Sequence, residues 1–98
     1  MLYKGYVSGS ADNKDHRQLF RDYAFTGKAE LAISYDSAED ATLACQLYES
    51  AGIMIPSNEG FTHVLSGFRI EERASGKFVV YCVGPFVPSV LKPGRGRV

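Results

Sequence analysis

Cysteine is scarce in this chain: Cys45 and Cys82 are the only two among 98 residues. A small scaffold stapled by disulfides carries more of them at tighter spacing, so that class is set aside. Both fall among apolar neighbours, one on a helical face and one on a strand, and read as buried thiols acting as small hydrophobes. Histidine is equally scarce. His16 and His63 share no ligand spacing with either cysteine, so no metal site is expected. Long apolar runs are also missing. The best stretch, "FVVYCVG" at 78–84, is far short of the roughly 18 residues of a membrane span. The N-terminus "MLYKGYVSG" has no apolar region followed by a small-residue cleavage site, so a cytoplasmic protein is expected.

Between residues 29 and 68 there is no lysine and no arginine. That block carries Glu30, Asp36, Glu39, Asp40, Glu49 and Glu59, while residues 1–28 and 69–98 are both net basic and bring the total to zero. Such segregation steers a partner of opposite sign, unless folding brings the blocks together.

The pattern along the chain predicts one compact α+β domain over 1–91 with a basic tail over 92–98. "LYKGYVS" (2–8) alternates as a strand does, with Gly5 as a bulge or a point of close approach. An amphipathic helix is expected over 14–24, with Leu19, Phe20 and Tyr23 on its apolar side, and a half-buried strand over 28–36. "DSAEDATLACQLYESAG" (36–52) has helical start and stop signals: Asp36 or Ser37 as cap, Glu39 or Asp40 three positions on, and Gly52 as terminator. Its apolar arc is read as Ala41, Ala44, Cys45, Leu47, Tyr48 and Ala51. The exposed stripe is read as Glu39, Thr42, Gln46 and Glu49. "IMIPSNEG" leaves the helix and turns between Pro56 and Gly60.

An extended segment over 61–73, interrupted near Gly67, then meets the loop "ASG", where Gly76 suits a left-handed position. The chain returns as "KFVVYCVG". Placing Arg73 opposite Lys77 sets Ile70 against Val80 and Phe68 against Cys82. Phe68, Ile70, Phe78, Val80 and Cys82 then form a core face. Arg69, Glu71, Arg73 and Lys77 share the other face with an apolar cluster of Val79, Tyr81 and Val83. The expected architecture is a small, mainly antiparallel sheet in the order β-α-β-α-β-β, with one or two helices packed on one face.

Signatures of chemistry are absent. There is no phosphate-binding loop, dinucleotide fingerprint or HExxH, and no cofactor is implied. The acidic pairs Glu39–Asp40 and Glu71–Glu72 are sequence neighbours whose side chains diverge, so neither is a dyad. A thiol in mid-helix or on a core face is a poor nucleophile. "GKFVVYCV" lacks the glycine pattern of an RNA-recognition strand, and a neutral chain is poorly suited to phosphate contacts. Only the tail residues Lys92, Arg95 and Arg97 are placed to touch nucleic acid.

Of the acidic groups, Asp36, Glu39 and Asp40 suit the positive end of the helix dipole, worth a few tenths to about 1 kcal/mol each. Glu49 is the exception, in the last turn, with Cys45 where a lysine partner would stand. The function this points to is a non-enzymatic protein-binding module. It would be an adaptor or inhibitor docking on a larger, basic, nucleic-acid-processing protein, a profile that suits a phage or mobile-element inhibitor of host defence. Its contact residues are expected among Asp36, Glu39, Thr42, Gln46, Glu49, Glu59, Arg69, Val79, Tyr81 and Val83. Other readings stand beside it: a small enzyme with a pocket near His63, Tyr35 and Arg69, a homodimeric structural protein joined through Val79, Tyr81 and Val83, or a weak nucleic-acid binder.

Overall fold

The structure is a computed structural model that describes residues 2–8, 25–57, 59–87 and 91. The helix expected over 14–24 and the tail residues Lys92, Arg95 and Arg97 lie outside these.

Four antiparallel strands form the main sheet: β1 (Tyr3–Val7), β2 (Phe25–Thr26), β5 (Arg69–Glu72) and β6 (Phe78–Gly84), in the order β2-β1-β6-β5. A second, two-stranded sheet pairs β3 (Met54–Pro56) with β4 (Thr62–Val64). Among the described residues there is one α-helix, α1 (Ala38–Ala51), which packs on the main sheet against β5 and β6. The domain is α+β and mainly antiparallel, as expected, with an additional hairpin between the helix and β5.

Helix α1 begins and ends where its local chemistry dictates. Ser37 is extended and its Oγ accepts the Asp40 N–H at 3.1 Å, while Gly52 sits left-handed at φ 65°. Three small side chains, Ala41, Ala44 and Cys45, and one large one, Tyr48, are buried. The alanines let the helix approach the sheet closely, and Tyr48 fills the space beside Phe68 at 5.6 Å between ring centroids. The expected apolar arc is too wide. Leu47 is exposed, because the buried sector is narrow and centred on Ala41 and Tyr48, leaving Leu47 beyond its edge.

The β5–β6 hairpin has the expected register: Ile70 faces Val80, and Arg73 N–H donates to the Lys77 carbonyl across a loop with Gly76 at φ 87°. Phe68, Val80 and Cys82 lie in the core with Val7, Phe25, Ile53, Ile55, Leu65 and Phe86, and Ile70 and Phe78 pack against it. Each large side chain fully buried there contributes about 1.5–3 kcal/mol. Gly5 is a point of close approach. It faces Cys82 on the core side of β1, and the Phe86 ring occupies the volume its Cβ would take.

The segment 28–36 is not a strand. Ala29–Leu31, all good helix formers, make a 3₁₀ turn whose backbone bonds close locally, Leu31 N–H to the Lys28 carbonyl and Ala32 N–H to that of Ala29. Ile33 then donates to the Val7 carbonyl, and Tyr35 exchanges two hydrogen bonds with Phe78. Pairing is limited to this one bridge beyond the end of β1. The turn has a further effect: Ala29 and Ala32 cover Val79 on the outer face of the sheet.

Candidate docking surface

Helix α1 presents the most distinctive free surface. Its exposed side holds Leu43 (54% exposed) and Leu47 (49%), one turn apart. Around them stand Glu39, Asp40, Thr42, Gln46 and Ser50, all exposed, and no basic residue occurs in the helix. Thr42 turns its hydroxyl onto the Ala38 carbonyl at 2.8 Å, leaving Glu39, Asp40 and Gln46 as the polar groups free to meet a partner. Leu43 was missed in the sequence, although a leucine lying between Glu39 and Leu47 on the wheel is a readable signal.

Glu49, the acidic group without a local explanation, has a structural one. Its Oε2 accepts the backbone N–H of Phe68 at 3.1 Å. The carboxylate ties the end of α1 to the start of β5 and adds to burial in raising the Cys45 thiol above its ordinary pKa. Asp36 pairs with Lys77, whose ammonium holds its carboxyl below the usual range, so one contact does join the acidic middle block to the basic C-terminal one. Glu59 is exposed in the turn between β3 and β4, its N–H donating to Ser57 Oγ at 3.2 Å.

The outer face of the sheet is organised differently. Glu71 receives Arg73 at 2.6 Å, the Tyr6 hydroxyl at 3.0 Å and Lys4 at 3.4 Å. Desolvation pushes its carboxyl up, but the three donors outweigh that and hold it below the ordinary range. Lys4 lies 4.5 Å from the Tyr81 ring centroid, and the Tyr6 ring packs against the same ring at a tilt of 50°, 5.7 Å between centroids. The apolar cluster expected on this face is therefore largely covered: Val79 is buried, Tyr81 half-buried, and Val83 is exposed. Arg69 stands opposite Tyr81 and makes no ion pair among the described residues.

These placements divide the expected contact residues. Glu39, Thr42, Gln46 and Glu49 belong to the helix side, whereas Arg69, Val79, Tyr81 and Val83 belong to the outer face. The pocket expected near His63, Tyr35 and Arg69 is not assembled. Tyr35 reaches under the helix, where its hydroxyl lies 2.8 Å from that of Tyr48, and Arg69 is on the opposite face of the sheet. His63 is half-buried on β4, opposite Ile55. An open groove of about 360 Å³ does occur on the outer face, over Val79 and between Glu30, Ser34, Arg73, Ser75 and Lys77. Its two cations are engaged by Glu71 and Asp36.

Among the described residues no cluster of three or more His, Cys, Asp or Glu side chains is arranged to hold a metal ion, and no helix is long and apolar enough to cross a membrane. No protein-family model, curated protein or solved structure matches the chain.

Proposed function

We propose that this protein is a non-enzymatic binding module, an adaptor or inhibitor that docks through the exposed face of α1 on a basic surface of a larger protein. The observation that carries this reading is the pair Leu43 and Leu47, about half exposed, beside Glu39 and Asp40 on a helix with no basic residue. Covering two half-exposed leucines contributes on the order of 1 kcal/mol each. The carboxylates select for positive charge and speed encounter, an effect that salt screens over about 10 Å at 0.1 M. Basic surfaces of this kind are common on proteins that handle nucleic acid, the partner class this reading favours.

The test is affinity capture from a native host extract at low and high salt, followed by repeat binding of each captured protein in purified form. A basic partner is expected, held at low salt and released at high salt. It is lost with Leu43→Lys or Leu47→Lys, weakened by Glu39→Lys with Asp40→Lys, and unaffected by Val83→Lys on the opposite face. Binding that survives all the helix substitutions defeats the proposal.

A further inference from the structure

The free edge of β5 offers a second, separate site. Glu72 stands opposite Phe78 in the β5–β6 register, but both backbone groups of Phe78 are taken by Tyr35 on its other side. The N–H and C=O of Glu72 therefore point away from β6. Arg73, next along the chain, donates to Lys77. Alternation in an antiparallel pair thus turns Arg73, Glu71 and Arg69 inward, and Glu72, Ile70 and Phe68 outward. Phe68 bears this out, since its N–H is the one that Glu49 accepts. Among the described residues β5 is the last strand of its sheet, so Ile70 and Glu72 present donors and acceptors that no strand receives. Glu49 reaches this edge from α1, and Cys45 and Thr42 lie one and two turns back on the same side of the helix.

We infer that this edge takes an extended peptide by strand addition, in the slot between β5 and the Thr42–Glu49 flank of α1. The carboxylate of Glu49 ends the slot at Phe68, leaving Ile70 and Glu72 as the pairing residues. Side chains of the added strand that face the helix meet Ile70, Glu72 and Glu49 with no basic group on α1, so the one beside Glu72 is basic. On the outer face, where Glu71 and Arg73 pair with each other, they meet Arg69, which is exposed and makes no ion pair among the described residues, so the one beside Arg69 is acidic. The occupant is thus an extended segment with a basic residue on its helix side and an acidic residue on its outer side. A second copy does not suit the slot: two β5 strands related by a two-fold axis would bring Glu72 of each toward Glu49 of the other.

The probe is a displayed library of random nine-residue peptides, selected on the full chain. Enriched sequences are expected to carry this pair of charges. Their affinity should fall about tenfold or more for Glu72→Pro relative to Glu72→Ala, the equivalent of one lost hydrogen bond. Proline there removes an outward N–H and no bond to β6. N-methylation of the peptide at its pairing residues should cost the same, which keeps the test open should the proline variant fail to fold. Arg69→Glu should replace the acidic preference with a basic one, and Leu43→Lys should change nothing, separating this site from the helix face. The inference is overturned by an absence of enriched peptides, or by equal binding of the proline and alanine variants. It is also overturned by a dimer in light scattering that Glu72→Pro abolishes.

Discussion

Replacing Gly5 by alanine tests the packing of the core at its tightest point. At an ordinary strand position this change removes backbone freedom from the unfolded chain and gains about 0.5–1 kcal/mol. Here a Cβ would fall 2.4 Å, 2.6 Å and 3.0 Å from three carbons of the Phe86 ring. Carbon atoms pack at about 3.5–4.0 Å, so the ring must withdraw by roughly 1 Å. It has little room, being 0% exposed with the Phe25 ring centroid 5.4 Å away. Overpacking of this kind costs about 1–3 kcal/mol and reverses the sign of the usual effect.

The expected loss is read by urea unfolding at constant m-value, or as a fall in Tm of about 4–8 °C per kcal/mol for a domain of this size. The cause is isolated by a double-mutant cycle with Phe86→Leu, whose shorter side chain vacates the contested volume. In that background Gly5→Ala should cost at least about 1 kcal/mol less. A neutral or stabilising Gly5→Ala, or an equal cost in both backgrounds, refutes the argument.

Three further outcomes follow from polar groups in and beside the core. Tyr35→Phe removes the 2.8 Å hydroxyl contact with Tyr48 and should cost about 0.5–1.5 kcal/mol in urea unfolding at neutral pH, with no change as the contrary result. Burial pushes the Cys82 thiol up to about 12, whereas unfolded thiols ionise near 8.5. Between those values the native state keeps a proton that the unfolded state has lost, so stability falls as pH rises, by up to about 1.4 kcal/mol per pH unit from this group. Denaturation curves from pH 8 to 11 should show a shallower decline for Cys82→Ala than for the unchanged protein. A decline of equal slope counts against the assignment. Both thiols should also stay unreactive toward a disulfide reagent until the chain unfolds.

The amino-acid sequence was enough to define the features that act over a few residues. The helix start was narrowed to Asp36 or Ser37 and its end set at Gly52, because cap chemistry involves only the adjoining turn; the structure chose Ser37. Ile70 faces Val80 because a three-residue loop leaves that hairpin one register. Gly5 was marked as a bulge or a close approach, and only Phe86 decided between the two. The segment 28–36 misled, since an alternating pattern does not say whether a neighbouring strand is long enough to pair with it.

The candidate surfaces were decided further away. Glu49 finds its acceptor role 19 residues on, at Phe68, and Asp36 finds Lys77 at a separation of 41. Leu47 was turned outward by how little of α1 the sheet covers, and Val79 was covered by a turn that local pattern read as strand. Such contacts depend on how the elements pack against one another. Caps, turns and periodicity are local energies carried in neighbouring residues, whereas which side chain remains free to meet a partner is set only once the core has closed.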